Sequence, residues 1–585
     1  MSNKFTVLLE KILYDHIAFI YGQDDAAAIH RQLMTHLNQF KTTHAHRPQL
    51  ARKNRISERD SVLITYGDMI QHDGGRPLQS LGAFLQSHLT ELISIVHILP
   101  FYPYSSDDGF SVIDYRQVNP DFGNWKDIAH LGENFRLMLD AVVNHISAQS
   151  VEFQGYLNGD PDYETFFLSL EPDTDLSRVF RPRTSPVLTP FQTSRGEKYV
   201  WTTFSVDQID LNYTSPDVLI EVIDILLFYI AHGAELIRLD AITFIWKEIG
   251  TTCASLPRTH RIVQLMRTVL DFVAPHVILI TETNVPHSEN ISYFGDGSNE
   301  AQMVYNFSLP PLTLHTFHSG NAEVLSRWAD SLILPSDRVT FFNFLASHDG
   351  IGLTPARGIL SDSDIANIAD RVTALGGYVS YKNNPDGGQT AYELNINYLD
   401  ALGIPDQGEP VALVARRFLV AQAIMLALQG VPGIYFHSLF GSRGWPDGVQ
   451  NTGRPRTINR QKPSRQQIEL ELADPGSLRN QVFRGYSNLL RQRSAHAAFH
   501  PNAEQQVVFC HESVFALWRQ SKERNSVILC LHNVSNVIHD LRIPLPDDRK
   551  ALTDILTGVK FSASQGLLKL KIQPYEVRWL VVDDV

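Results

Sequence analysis

Cysteine is scarce in this chain: three in 585 residues, Cys253, Cys510 and Cys530, far apart and with no C-x-x-C spacing. That argues against a disulfide framework or a thiolate zinc site and points to a reducing compartment. Positive charge is also short. A net charge of −13 leaves no basic face of the kind a nucleic-acid partner requires. No apolar run is long enough to span a membrane. The stretch from Met1 to Gly22 intersperses Lys4, Glu10, Lys11, Asp15 and His16 among its apolar residues, so it reads as an amphipathic helix rather than a signal peptide, and the expected location is cytoplasmic. Internal repeats and low-complexity tracts are missing as well. What remains, 43% hydrophobic and 19% charged, is an ordinary globular composition. The length suggests roughly three or four domains.

What the sequence does contain is organised around Glu235-Leu236-Ile237-Arg238-Leu239-Asp240-Ala241 and the later Glu282. The first reads as a buried strand, Ala234 to Leu239, ending in Arg238-x-Asp240; the second as the buried run Val277–Ile280 ending in Thr281-Glu282-Thr283. Apolar runs separated by a long helical pattern are what parallel strands covered on both faces look like. A carboxylate at such a strand end sits on the C-terminal rim, where parallel barrels keep their chemistry. Two of them on neighbouring strands can flank one glycosidic bond. Either acid alone reads equally well as half of a structural ion pair.

Taken in order, residues 1–58 read as a helical extension whose His- and Arg-rich end (His44, His46, Arg47, Arg52, Arg55) is a solvated basic face. Eight strands follow: Ser61–Tyr66, Ile93–Pro100, Leu137–Val143, Ala234–Leu239, Val277–Ile280, Met303–Phe307, Val339–Phe344 and Val431–Phe436, with helical patterns such as Val218–His232 and His260–Val273 between them. That alternation predicts an α/β fold, a (β/α)8 TIM barrel. The expected divisions are the extension at 1–58, the barrel in parts at 59–145, 218–349 and 411–498, insertions at 146–217 and 350–410, and a C-terminal β-sandwich at 499–585. Both insertions follow strand ends on the same rim, so both should overhang the site; loops of such length are usually lids or small subdomains. Within the second lies the turn-rich 383–388. After about residue 500 the pattern changes to short alternating strands, Gln506–Cys510, Val514–Arg519, Ser526–His532, Leu568–Ile572 and Val577–Val582.

Four strand ends carry polar chemistry: Asp140/His145, Arg238/Asp240, Glu282 and His348/Asp349. An Asn-His or His-Asp pair alone can simply cap a loop. Four converging on one rim call for a common cause. In this order they resemble the four conserved regions of the α-amylase superfamily, glycoside hydrolase family 13, over residue 59 to the C-terminus. Within it the chain is similar to the sucrose phosphorylase group, on Leu99-Pro100-Phe101-Tyr102-Pro103, the run Asp107 to Asp114, Arg181-Pro182-Arg183, His348-Asp349-Gly350-Ile351-Gly352 and Thr457-Ile458-Asn459-Arg460. The helical extension resembles that of the longer glucosylglycerate and sucrose 6-phosphate phosphorylases.

The resemblance implies roles. Asp240 is the nucleophile and Glu282 the acid/base, its pKa raised by burial and neighbouring charge. Asp349 grips the sugar hydroxyls, and Arg238 keeps Asp240 ionised and oriented. His145 and His348 hydrogen-bond glucose, Asp108 and Arg456 close the far end of the pocket, and Phe110 and Phe204 offer apolar ring contacts, Phe204 being as readily a core aromatic. Arg183 binds phosphate through its two-pronged guanidinium, while Arg181 is either its partner there or an ordinary loop salt bridge, the second being favoured. Gln389, Tyr392 and Glu393 fall in the acceptor loop. Glu393 stands where sucrose phosphorylases more often have Gln, which puts sucrose in doubt. The neutral Gln389 leans towards an uncharged acceptor such as glycerol or a sugar, although Lys382 and Arg357 could meet an acidic one.

The expected function is therefore a retaining α-glucoside phosphorylase that uses a glucoside and inorganic phosphate. No metal or other cofactor is called for, nor a nucleic-acid or membrane partner, and a homodimer stays open. A hydrolase or transglucosidase on the same site is the second reading, disfavoured by Arg183 and the Asp-Gly-Ile-Gly run. The third, a silent sugar-binding barrel, is disfavoured by the intact acids.

Overall fold

The computed structural model describes residues 3–44, 56–71, 74–183, 185–383, 388–405, 408–545 and 551–582. Eight parallel strands close into a barrel in sequence order: β1 (Val62–Thr65), β2 (Ile95–Ile98), β3 (Arg136–Ala141), β4 (Ala234–Leu239), β5 (Ile278–Thr281), β6 (Met303–Tyr305), β7 (Thr340–Phe344) and β8 (Val431–Tyr435). Closure is made by β1 on β8, with Val62 opposite Gly433. Each strand lies where an apolar run predicts it. Both strand faces are covered, one by the barrel interior and one by helices, so the runs are continuous rather than alternating.

Two helices begin the chain, α1 (Asn3–Tyr21) and α2 (Gln23–Thr43), with Gly22 at φ 93° turning between them. Leu9, Leu13, Ile17 and Ile20 on α1, and Ala26, Ile29, Leu33 and Leu37 on α2, join the main core. That spacing is the one-sided stripe of an amphipathic helix. The stripe packs against α3 (Pro216–Ala231) and α4 (Pro257–Val273), the helices before β4 and β5. Each of these starts with Pro at its first position, where the missing N–H costs nothing. Polar contacts fix the docking: His36 Nδ1 to Asp224 at 2.9 Å, Arg261 Nη1 to His16 Nδ1 at 3.2 Å, and Lys41 Nζ 3.5 Å over the Phe272 ring. The basic stretch after His44 lies outside the described residues.

The insertion after β3 contains a helix, Val151–Asn158, and a three-stranded sheet of Ser169–Leu170, Gly196–Trp201 and Leu188–Thr193. The one after β7 is a helix, Asp362–Ala374, and a hairpin, Tyr378–Asn383 with Gln389–Asn395, onto whose second strand Ile351–Gly352 pairs. Residues 384–387 lie outside the described residues.

The C-terminal domain is an antiparallel sheet of eight strands in the order Glu504–Val507, Val514–Gln520, Val527–Asn533, Val577–Val582, Ala551–Asp554, Lys560–Ser564, Leu567–Ile572 and His539–Pro544. Residues from its two ends, Ala516 and Trp518 with Leu541 and Ile543, share one core cluster, so the sheet doubles over on itself. The buried Arg519 ties it to the barrel by donating to Ala427 O at 2.7 Å and His500 O at 2.8 Å. Among the described residues no helix is long and apolar enough to cross a membrane.

Candidate active site

The register between β4 and β5 sets the central pair of acids. Thr281 lies opposite Leu239, so Asp240 and Glu282 leave neighbouring strands one step beyond the ladder. Backbone bonds hold both departures, Asp240 N to Ala141 O and Glu282 N to Leu239 O, each 3.1 Å. Ala241 then turns into the left-handed region at φ 49°, which aims its N–H at Glu282 Oε2, 3.1 Å away.

Arg238 lies two residues before Asp240, hence on the same strand face. Its Nη1 donates to Asp240 Oδ1 at 2.8 Å and also to Asp140. Its Nη2 reaches only to 3.8 Å from Glu282. Asp140, wholly buried, also meets His97 Nε2 at 2.6 Å. The barrel floor is thus a chain His97–Asp140–Arg238–Asp240, and the Arg238 guanidinium lies 5.4 Å from the Tyr305 ring centre.

This geometry separates the two acids. Burial pushes Glu282 up to about 7; Asp240 and Asp349 push the same way, against Arg238. Burial also raises Asp240, with Asp140 adding to it, but here Arg238 opposes through direct contact. Of the two, Glu282 is the one pushed to about neutrality, while Asp240 has a direct guanidinium contact that favours its anion. Such a split is how acid and nucleophile roles are divided between two carboxyl groups.

Asp349 completes the group. Burial alone would raise it, but Arg456 Nη1 at 2.5 Å, with His348 and Arg460, holds it well below the usual carboxylate range. His348 is pushed down to about 3 by burial, so its ring is neutral, and it stacks on Phe110 at 4.6 Å between centroids. The Asp-Gly-Ile-Gly run has a steric cause. A Cβ on Gly350 would sit 2.6 Å from Glu393 Cγ and from Leu394 O, and one on Gly352 2.7 Å from Asn284 Oδ1. Only glycine lets the hairpin strand Gln389–Asn395 approach the Asp349 loop this closely.

These side chains line a cleft of about 740 Å³ with Asp107, Phe110, His145, Arg183, Phe204, Gln208, Phe244, Tyr392, Glu393 and Arg456. Phe204 therefore faces the cleft rather than the core. His145 Nε2 lies 2.9 Å from Phe110 O and 3.2 Å from Gln208 Nε2. Just below, the buried Lys247 Nζ binds Asp210 Oδ2 at 2.8 Å and Asn144 Oδ1 at 3.3 Å, tying the loops after β3 and β4 together.

The predicted closing pair, Asp108 with Arg456, is not formed. Arg460 Nη1 takes Asp108 Oδ2 at 2.8 Å and Asp107 Oδ1 at 3.4 Å, and Asp107 is the acid that lines the cleft. Two successive left-handed residues, φ 53° at Asp107 and 50° at Asp108, turn these side chains away from a simple alternation. Arg456 instead bridges Asp349 and Glu393, the latter at 2.8 Å.

The cleft opens into a vestibule of about 1120 Å³ that shares Asp107, Arg183, Phe204, Gln208, Tyr392, Glu393 and Arg456 with it and adds Tyr381, Arg454 and Arg460. Of its arginines, Arg456 and Arg460 are paired with acids. Arg183, with its guanidinium 5.6 Å from the Phe204 ring centre and Nη1 on Pro182 O at 3.2 Å, pairs with no acidic side chain among the described residues. Neither does the exposed Arg454. Glu393 lines the space, but its carboxylate is occupied by Arg456 and by Gly350 N at 3.0 Å, so it positions the loop. Tyr392 lines both spaces, its hydroxyl pushed up to about 12 by burial. Gln389 sits at the exposed start of its strand, outside both linings. Arg357 donates to Ala391 O at 3.2 Å and lies 3.5 Å from Asp362; Lys382 lies 5.3 Å over Phe180.

Among the lining or supporting residues that escaped the sequence reading are His97, Asp107, Gln208 and Arg460. Arg460 and Asp107 lay inside motifs already singled out. His97 sits in the middle of an apolar strand and Gln208 in an insertion, where no periodicity marks either.

The α-amylase catalytic domain family matches residues 89–349. The chain is 48% identical to a glucosylglycerate phosphorylase of Allomeiothermus silvanus, over 99% of this chain and all of that one. It is 44% identical to a glucosylglycerate phosphorylase of Escherichia coli, over 98% and 100% of the two chains. The fold is similar to a crystal structure of sucrose 6F-phosphate phosphorylase from Thermoanaerobacter thermosaccharolyticum, with a TM-score of 0.72, 23% identity, and 89% and 100% of the chains covered.

Proposed function

This chain belongs to the α-amylase family, and we propose that within it the protein is a retaining α-glucoside phosphorylase whose glucoside is glucosylglycerate. In the first step Asp240 attacks the anomeric carbon as Glu282 passes its proton to the departing oxygen, leaving a covalent glucosyl–enzyme and the free acid. In the second, a phosphate oxygen attacks the same carbon and gives its proton to Glu282, the bond to Asp240 breaks, and α-glucose 1-phosphate departs with retained configuration. Asp349, held ionised by Arg456, takes the hydroxyls beside the reacting carbon. Arg238 keeps Asp240 anionic, and the Asp107/Arg460 pair closes the end of the glucosyl site.

The observation that carries this reading is Arg183: an arginine facing the site, beside three catalytic acids, with no acidic side chain to neutralise it among the described residues. An anion is its natural complement, and phosphate is the anion phosphorolysis needs. The relatives favour glucosylglycerate over sucrose, and Arg183, without an acidic partner among the described residues, suits an acidic leaving group better than a neutral one.

The test is release of α-glucose 1-phosphate in phosphate buffer from sucrose, sucrose 6-phosphate, glucosylglycerol, glucosylglycerate and kojibiose. Product from glucosylglycerate alone, dependent on phosphate, is expected. Free glucose throughout, with or without phosphate, would make the protein a hydrolase instead.

A further inference from the structure

Double displacement presents two different reagents to one side of the glucosyl site: the leaving acid first, then phosphate. Both are anions if the acceptor is glycerate. Arg183 is the unpaired cation that lines both the cleft holding Asp240 and Glu282 and the vestibule; Arg454 lines the vestibule alone. The bonding of the two reagents matters here. In phosphate the free oxygens are two bonds from the oxygen that attacks. In a hydroxy acid with its hydroxyl next to the carboxylate, the carboxylate oxygens are three bonds from the oxygen that leaves. With the hydroxyl one carbon further out they are four bonds away. Only the first kind of acid brings its charge close to the place phosphate occupies.

We propose that the Arg183 guanidinium is a single anion site used twice per turnover, first by the carboxylate of the leaving 2-hydroxy acid and then by phosphate. The site selects glucosides of 2-hydroxycarboxylates as a class, and Arg183 is the residue that sets that selection. The planar fork suits both tenants, since carboxylate and phosphate each offer two oxygens in matching spacing. Tyr392 lines the same cleft and vestibule as Arg183. The chemistry is that of the two steps above; no further reactant is needed.

The inference rests on the acidic-acceptor reading, and the experiment separates the two. α-Glucosyl fluoride loads Asp240 without using the anion site: its C1–F bond breaks, the C1–Oδ bond of Asp240 forms, and fluoride leaves. Partition of the glucosyl–enzyme among water, phosphate, glycerate, lactate, glycolate, 3-hydroxypropanoate and glycerol is then measured for wild type, R183A, R183K and R454Q. In wild type the 2-hydroxy acids should outcompete both glycerol and 3-hydroxypropanoate. R183A should lose that preference and its transfer to phosphate together, each by about 10- to 100-fold, the range for one charge-assisted contact, while still releasing fluoride. R183K should keep part of both, and R454Q should keep both. Wild type that transfers to no carboxylate would overturn the glucosylglycerate reading, and this inference with it. R183A that loses phosphate transfer yet keeps its preference for 2-hydroxy acids, or R454Q that loses the preference, would overturn the shared site alone.

Discussion

Glu282→Gln should make the protein more stable at alkaline pH while removing its chemistry. Burial raises the Glu282 carboxyl from 4.5 to about 7. A folded-state pKa above the unfolded one means the folded state binds the proton more tightly. The contribution is therefore fully present below about pH 4.5 and is lost as pH rises through about 7. At 1.36 kcal/mol per unit, forcing the charge onto the buried group costs about 3 kcal/mol at pH 8 and under about 1 kcal/mol at pH 5. Glutamine is never charged, and its amide oxygen can still accept the Ala241 N–H. With an unfolding entropy of about 2 cal/mol/K per residue over a chain of this size, the difference amounts to about 3 °C in Tm at pH 8. Scanning calorimetry of both proteins at pH 5, 6, 7 and 8, at matched ionic strength and scan rate, measures the gap. It should widen steadily with pH, and turnover of the glucoside should fall by about 10²- to 10⁴-fold, the usual worth of a general acid. A gap that stays flat, or a variant less stable than wild type at pH 8, would refute the claim that Glu282 carries its proton in the folded state.

Two further substitutions test the rest of the site. Asp240→Asn should abolish turnover, by on the order of 10⁴-fold or more, with an unchanged circular dichroism spectrum; appreciable remaining activity would mean another residue is the nucleophile. Gly350→Ala drives a Cβ into Glu393 Cγ and the backbone of Leu394, so it should cost about 1–3 kcal/mol by denaturation and lower kcat as Asp349 is displaced, and wild-type kinetics with wild-type stability would show the approach to be looser than drawn.

The barrel was legible because parallel strands covered on both faces are mostly apolar without alternation, and runs such as Leu236-Ile237 and Ile278-Leu279-Ile280 leave little choice. The C-terminal sheet was read less fully. His539–Pro544, Ala551–Asp554 and Lys560–Ser564 are short and hold only one or two large apolar residues each, too few for a period to stand out. At the site, the acids on strand ends were found because strand geometry fixes where a terminal residue lies. Asp107 and Arg460 were missed, by one place and by four, because turns aim them: a left-handed pair in one case, the 3-10 turn Pro455–Asn459 in the other. Periodicity fixes directions along strands and helices and falls silent where the chain bends.

The paired helices at the start of the chain have a bearing on how this protein can vary. α3 buries ten of its sixteen residues, and α4 carries Phe272 under Lys41 and Arg261 against His16. These are also the helices that precede the strands ending in Asp240 and Glu282. A barrel relieved of residues 3–44 would present to water the flanks of α3 and α4 that they cover, beside the strands ending in Asp240 and Glu282. The extension and those flanks are thus interdependent surfaces: neither can be deleted or rewritten without the other. A shorter version of this enzyme would need a different pair of helices, not merely a missing one.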